Sequence, residues 1–99
     1  MSSAKKPGGK HVQRRDFVVI NKLGVHARPA ALFVKTANRF TSNIMVSKDG
    51  EEVNGKSIMG LMMLAAGPGS TLSVSCDGDD SNEALAEIEA LIKRKFDED

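Results

Sequence analysis

The sequence predicts an α+β protein in which four strands form one antiparallel sheet and three helices cover one of its faces. The apolar residues change period along the chain, and the resulting order is strand, helix, strand, strand, helix, strand, helix. Three helices are too few to cover both faces of such a sheet. We therefore expect an open-faced two-layer sandwich with one sheet face in solvent.

Length and composition limit the classes of protein to which this chain can belong. A chain of 99 residues with 40% hydrophobic and 27% charged residues is the size of one ordinary globular domain. The single cysteine, Cys76, excludes an intramolecular disulfide, and with two histidines away from ligand spacing we expect no metal site. The longest apolar stretch, residues 58–66, is far shorter than the ~20 residues of a membrane span. No secretory signal peptide is visible, so a soluble cytoplasmic protein without membrane insertion is predicted.

The N-terminal segment differs in composition from the rest. Residues 1–12 lack core-forming side chains and are predicted to be a disordered basic arm before a domain at residues 13–99. The first fifteen residues hold five of the 14 basic residues and no acidic one, which leaves nine bases against 13 acids afterwards. A basic arm could contact nucleic acid. The net acidic domain, with only 4% aromatic residues and no Trp or Tyr, disfavours a nucleic-acid partner.

The first strand and helix follow from the pattern of residues 17–40. Residues 17–20, Phe-Val-Val-Ile, form a β-rich run that predicts a strand. Residues 27–40 then change to helical spacing. The apolar positions with this spacing are Ala30, Phe33, Val34, Ala37 and Phe40. Pro29 is tolerated only in the first helical turn, so the helix is expected to begin near His26 or Ala27.

A hairpin is predicted next. Two strand-like runs, residues 43–48 and 51–54, are joined by Asp49-Gly50, a strong turn signal. Residues 50–57 also match the phosphate-loop pattern G-x-x-x-x-G-K-[ST]. We reject nucleotide binding because two glutamates would lie inside that loop, the same residues form a hairpin arm, and too little chain follows for a nucleotide-binding core.

The second half of the chain predicts helix, strand and helix. Ser57 is expected to cap a short helix through residue 63 or 64, and residues 71–76 alternate as a half-buried strand does. Asp80 and Glu83 have the spacing of a capping box before the last helix. The apolar stripe of this helix comprises Leu85, Ile88, Leu91, Ile92 and Phe96.

The candidate reactive group is His26, within residues 24–31. Pro29 places it at or beside a helix N-cap, where free backbone amides and the positive end of the dipole favour an anion. Arg28 can bring a guanidinium to the same point. A nucleophilic imidazole beside a phosphate-sized anion site suits a phosphohistidine intermediate. The alternative is a histidine that only caps the helix; no carboxylate lies near enough in sequence for a catalytic triad, and His11 is expected only to be solvated.

The short helix after Ser57 leaves two alternatives open. Its apolar residues either all belong to the core, or some of them form an exposed, adaptable patch near His26. The exposed patch would comprise Ile58, Met59 and Met62. A basic rim suited to acidic partner surfaces would comprise Arg28, Lys35 and Lys56.

Two segments resemble motifs of one family. Gly24-Val25-His26-Ala27-Arg28-Pro29-Ala30 is similar to the active-site motif of the histidine-containing phosphocarrier (HPr) family of the bacterial phosphoenolpyruvate-dependent sugar phosphotransferase system. Gly55-Lys56-Ser57-Ile58-Met59-Gly60 resembles the regulatory motif of that family, and the 31-residue separation between its serine and the histidine also agrees. The resemblance extends from about Phe17 to Phe96. Regulatory relatives that replace the histidine are excluded.

The resemblance implies an HPr-like fold and a function. His26 would accept a phosphoryl group at Nδ1 from phosphorylated enzyme I and pass it to enzyme IIA domains, with Arg28 stabilising the phosphohistidine. Ser57 would be phosphorylated by an ATP-dependent HPr kinase/phosphorylase in bacteria that have one. No cofactor is expected. The implied partner-binding residues are Ala27, Ala31, Lys35, Lys56, Ile58, Met59 and Met62.

A second function remains open. The same fold could serve as a regulatory module, switched by Ser57 phosphorylation, that binds a transcription regulator or a kinase. We expect a monomer, because transient exchange with several partners suits a small free surface.

Overall fold

The structure, a computed structural model, describes residues 12–98. The strands are β1 Val12–Val18, β2 Asn43–Lys48, β3 Glu51–Asn54 and β4 Thr71–Asp77. The helices are α1 Ala27–Ala37, α2 Ile58–Met63 and α3 Ser81–Lys93, with a 3₁₀ turn at Lys95–Asp97. The predicted succession of elements is confirmed. The predicted basic arm lies outside the described residues except for Val12, which begins β1.

The strands form one antiparallel sheet in the order β1-β4-β2-β3. The register aligns Val46 of β2 with Val74 of β4 and Val53 of β3. Paired residues point to the same side of a sheet, so these valines share the apolar face, which the helices cover. Ser47 and Ser73 are paired on the other face and are partly exposed. The predicted open-faced α+β sandwich is confirmed.

The hydrophobic core lies between the sheet and the helices. Helix α3 packs against β1 and β4, while α1 packs against both α2 and α3. The largest fully buried side chains include Phe33, Ile44, Leu61, Ile88, Leu91 and Phe96. The stripe of α3 predicted from helical spacing is therefore the buried face. Its last member, Phe96, lies beyond the helix in the 3₁₀ turn.

The turn between β2 and β3 has the geometry that the sequence predicts. Asp49 and Gly50 both have positive φ, 52° and 84°, as a two-residue hairpin turn of the primed type requires. Residues 51–54 form strand β3, where a phosphate-binding loop would need flexible backbone. The rejection of the nucleotide-loop motif is thus supported by the backbone itself.

Strand β1 starts five residues before the predicted strand at Phe17. The residues of β1 do not alternate between apolar and polar, but its polar side chains have partners on β4 and on α3. Asp16 accepts a hydrogen bond from the Ser73 hydroxyl, and Arg15 forms an ion pair with Glu89. Backbone pairing with β4 along the whole strand supplies the remaining order.

Helix α1 is shorter than its apolar spacing predicts. It ends at Ala37, and the amides of Arg39 and Phe40 donate to the carbonyls of Thr36 and Ala37, three residues back. This tightening of the last turn ends the α-helix. Phe40 still packs against the core, from the turn rather than from the helix.

The predicted capping box of Asp80 and Glu83 is wrong. Asp80 occupies the N-cap of α3, but its side chain makes no capping hydrogen bond. Its carboxylate instead accepts hydrogen bonds from the amides of Thr41 at 2.8 Å and Ser42 at 3.0 Å, and from both hydroxyls. The Ser42 hydroxyl and the Thr41 amide lower the pKa of Asp80 to about 2. The side chain therefore joins the loop before β2 to the start of α3.

Candidate active site

The loop before α1 has a backbone path that only glycine permits at one position. Gly24 has a φ of 72°, and a Cβ there would lie 2.5 Å from the carbonyl oxygen of Ala66. The next amide, Val25 N–H, donates to that same oxygen at 2.8 Å. The loop is thereby fixed against the segment after α2, and its next residue is His26.

His26 is the N-cap residue of α1, as predicted. Its carbonyl accepts the first helical hydrogen bond, from Ala30 N–H at 2.9 Å, while its ring makes no capping hydrogen bond. The amides of Ala27 and Arg28 belong to the first turn and have no intrahelical acceptor. Because 40% of the His26 side chain is exposed, the imidazole is accessible at the positive end of the helix.

A carboxylate that is distant in the sequence contacts the histidine ring. Glu98, 72 residues away along the chain, has Oε2 at 3.0 Å from Nε2 of His26. Its other oxygen accepts from Nδ2 of Asn21 at 2.9 Å. Asn21 is fully buried and also donates to the Gly24 carbonyl at 2.7 Å. Asn21 and Glu98 are site residues that sequence reasoning missed.

The C-terminal turn brings Glu98 to this position. Lys95, Phe96 and Asp97 all have positive φ, at 58°, 55° and 60°. This conformation turns the chain back from the end of α3. Phe96 is 1% exposed and anchors the turn in the core, and Asp97 accepts a hydrogen bond from Arg94 at 2.9 Å.

Arg28 is exposed and lies on the wall of an open pocket of about 470 Å³. Lys22 and Leu23 also line this pocket, as do two carboxylates near the end of the described residues, Asp97 and Glu98. Within residues 12–98, no carboxylate forms an ion pair with Arg28 within 4.0 Å. Its guanidinium is therefore free to bind an arriving anion.

Ser57 is the N-cap residue of α2, also as predicted. Its hydroxyl oxygen accepts a hydrogen bond from the Gly60 amide at 3.0 Å. Of the six residues in α2, only Leu61 is buried. The interpretation that all of these apolar residues are core is therefore wrong. The exposed apolar residues here form what we call the α2 patch: Ile58, Met59, Met62 and, not predicted, Met63.

The remaining predicted partner residues lie on α1 and before α2. Ala27, Ala31 and Lys35 are exposed and, at intervals of four residues, share one face of α1. Lys56 is partly buried, since its ammonium donates to the Phe40 carbonyl at 2.8 Å. The position of its ammonium group is fixed by that contact. Their role in partner binding stays a prediction.

None of the helices within residues 12–98 is both long enough and apolar enough to cross a membrane. In the same part of the chain, no group of three or more His, Cys, Asp or Glu side chains could hold a metal ion.

Comparison with known proteins identifies the family. The family model described as "PTS HPr component phosphorylation site" matches residues 13–94. HPr-like protein Crh of Halalkalibacterium halodurans is 55% identical over 74 residues, which are 75% of this chain and 88% of that protein. Phosphocarrier protein HPr of Cupriavidus necator is 48% identical over 85 residues, 86% of this chain and 96% of that protein.

Solved structures agree with the sequence relatives. HPr-C-His of Thermoanaerobacter tengcongensis superimposes with a TM-score of 0.85 at 47% identity, over 88% of this chain and 98% of that chain. A dimeric HPr from the same organism has a TM-score of 0.71 at 50% identity, over 83% of this chain and 94% of that chain. The fold, the position of the histidine at a helix start and the family match agree: the chain belongs to the HPr family of phosphocarrier proteins.

Proposed function

We propose that this protein carries phosphoryl groups, accepting them on His26 from phosphorylated enzyme I and passing them to enzyme IIA domains. One observation carries the proposal: an accessible imidazole lies at the N-cap of α1, beside an arginine without an ion-pair partner in residues 12–98. The family membership supports the same function.

The chemistry needs one nitrogen nucleophile and an anion site. A neutral imidazole nitrogen of His26 attacks the phosphorus, so an N–P bond forms while the bond to the donor group of enzyme I breaks and that group leaves with the electron pair. The three phosphoryl oxygens then lie near the first-turn amides of α1 and the Arg28 guanidinium, which stabilise their charge. The reverse attack by an acceptor group on enzyme IIA regenerates the imidazole. No cofactor takes part.

The α2 patch is the proposed docking surface for both partners. Its four side chains surround an open apolar depression of about 520 Å³, and three of them are methionines, which adapt to differently shaped surfaces. The segment that follows α2 contacts the loop before His26, through Ala66 and Val25. A partner seated on the patch would therefore also reach the imidazole.

A second function, regulation through Ser57, has its own supporting observation. Ser57 caps α2 and directly precedes the α2 patch, so a phosphate on its hydroxyl would add charge at the edge of the docking surface. The relatives include HPr-like proteins named Crh as well as phosphocarriers. The kinase would be an ATP-dependent HPr kinase/phosphorylase, and the protein that binds the phosphorylated form would be a transcription regulator.

The deciding experiment is incubation with phosphoenolpyruvate and enzyme I, followed by intact mass measurement. We expect the mass gain of one phosphoryl group, lost again in acid, in the unmodified sequence and no gain in His26→Ala. His11→Ala, a change outside the described residues, serves as the matched control and should label normally. Labelling that persists in His26→Ala would overturn the assignment. A regulatory module alone would remain unlabelled and would acquire phosphate only from ATP.

A further inference from the structure

We propose that Glu98 is a positioning residue for His26: it holds the Nε2–H proton, so that Nδ1 presents its lone pair to the phosphoryl donor. The inference rests on the proposed function and extends it to a residue outside the two family motifs. The carrying observation is the 3.0 Å contact between Nε2 of His26 and Oε2 of Glu98.

The contact determines which nitrogen is nucleophilic. A carboxylate only accepts hydrogen bonds, so the nitrogen that contacts it must carry a proton. With the proton on Nε2, the neutral ring has its lone pair on Nδ1. The structure gives Nδ1 no hydrogen bond to any group of residues 12–98, and the ring is part exposed. Attack through Nδ1 therefore requires no change of tautomer.

The carboxylate is itself held in place. Its second oxygen binds the amide of the fully buried Asn21, and the Glu98 side chain is only 16% exposed. Asn21 also binds the Gly24 carbonyl, so the same amide joins the carboxylate to the loop that ends at the histidine. A carboxylate fixed at both oxygens keeps the imidazole plane in one orientation. The nucleophilic ring is thus oriented by Glu98, and Glu98 in turn by Asn21.

The same contact favours the product of transfer. When Nδ1 forms its bond to phosphorus, the ring gains positive charge while the proton stays on Nε2. The Glu98 carboxylate faces that charge from the opposite edge of the ring, away from the phosphoryl oxygens. Phosphate and carboxylate thus bind different edges of one imidazole.

The backbone of the C-terminal turn makes this placement specific. Three successive non-glycine residues with positive φ are an uncommon and strained path. Burial of Phe96 anchors the turn, and the turn brings Glu98 back to the start of α1.

The test measures the tautomer and the transfer rate in matched variants. ¹⁵N-histidine NMR on the unphosphorylated protein should show His26 as a single Nε2–H tautomer. Glu98→Ala should give a tautomer mixture and slow phosphorylation by enzyme I roughly tenfold or more, since small misplacements of a reacting group have effects of that size. Glu98→Gln leaves one acceptor oxygen for two donors, the Asn21 amide and Nε2–H of His26, so it should also lose the single tautomer. Glu87→Ala, which removes an exposed carboxylate of α3 that pairs with Arg39, should behave as the parent.

Two results would overturn the inference. One is an unchanged tautomer and rate in Glu98→Ala; the other is a tautomer mixture and a slowing in Glu87→Ala that equal those of Glu98→Ala. If Glu98→Ala fails to fold, as circular dichroism would show, the comparison of Glu98→Gln with Glu87→Ala decides. The tautomer measurement needs no phosphoryl donor. Failure of enzyme I to label the parent protein would therefore count against the proposed function only.

Discussion

Arg28 is a cation in the first turn of a helix, where the dipole favours anions. The first turn of α1 contains no acidic residue to compensate, and the guanidinium is exposed. Such a placement costs a few tenths of a kcal/mol to about 1 kcal/mol in the unmodified protein. If His26 carries a phosphoryl group, as we propose, the arrangement becomes favourable, so we expect Arg28 to serve the charged intermediate rather than the resting fold.

We therefore expect Arg28→Ala to slow phosphoryl transfer while leaving the melting temperature equal or slightly higher. Loss of a hydrogen bond to a charged group, about 1.5–3 kcal/mol, corresponds to a rate decrease of roughly tenfold to a hundredfold. Arg28→Lys keeps the charge but lacks the planar guanidinium, so its transfer rate should lie between those of the parent and Arg28→Ala. Single-turnover transfer and thermal melts measure both quantities. A large loss of melting temperature with unchanged transfer would show that the role is structural.

At the scale of elements, both proposed phosphorylation sites lie at helix starts. Ser57 is the N-cap residue of α2, directly before the α2 patch, and its hydroxyl already accepts the Gly60 amide hydrogen bond. Additional negative charge at this point is favourable for the helix. Modification of Ser57 is therefore expected to act on partners and not on folding.

Ser57→Asp should melt at or above the temperature of Ser57→Ala, since the alanine loses a cap worth about 1 kcal/mol. The aspartate variant should be phosphorylated more slowly on His26, because charge beside the α2 patch repels an acidic partner and hydrates an apolar one. Initial rates with enzyme I and thermal melts of the two variants provide the comparison. Equal rates would remove the switch hypothesis, and collapse of the aspartate variant alone would place Ser57 elsewhere than at a cap.

The carboxylate of Asp80 joins two elements, and its stabilising effect should depend on pH. Its pKa is lowered in the folded protein from 3.8 to about 2, so its contribution is fully present above about pH 4 and is lost as the pH falls towards 2. Asp80→Asn should therefore lower the melting temperature at pH 6, and the difference from the parent should shrink between pH 4 and pH 2. Glu83→Gln is the control, and its melting temperature should differ little from that of the parent at each pH. A difference for Asp80→Asn that is constant with pH would refute the assignment.

Local patterns predicted most elements because they depend on neighbouring residues. The hairpin follows from Asp49-Gly50 and the helix start from Pro29, each a property of a few consecutive positions. The failed assignments depended on distant partners: Asp80 has capping chemistry but binds the loop before β2, and β1 is ordered by its pairing with β4. A sequence pattern does not show which of several possible partners a polar residue will bind.

The whole molecule is needed to explain the site. His26 and Arg28 were identifiable from sequence because motif and helix start coincide within a few residues. Glu98 and Asn21 were not, since their contact with the histidine depends on three residues of positive φ after α3. No periodicity signals such a turn.

The N-terminal arm is expected to be dispensable for transfer. A chain that begins at Val12 retains all of β1 and should accept phosphate at nearly the parent rate, because residues before it offer no apolar anchor. A chain that begins at Phe17 loses most of the pairing with β4 and should unfold. Transfer rates and circular dichroism distinguish these cases. Severe slowing in the Val12 chain would assign the arm a role in partner recruitment.

Charged sheet edges favour a monomer. The outer strands are β1 and β3, and they carry Arg14, Asp16, Glu51 and Glu52 in exposed positions, which oppose edge-to-edge pairing. Sedimentation equilibrium at micromolar concentration should give the mass of one chain. A stable dimer, as in the similar structure of T. tengcongensis HPr, would show that another surface, such as the α2 patch, is used for self-association.

Burial of Cys76 has a practical consequence for labelling. It is the single cysteine of the chain, it lies on the covered side of β4, and burial raises the pKa of its thiol to about 11. A maleimide should therefore leave the native protein unmodified. Glu52 is exposed and pairs with Ser47 on the bare face of the sheet. Glu52→Cys would then offer one attachment point for a fluorophore or a sensor chip, on the side of the molecule that faces away from the helices and from His26.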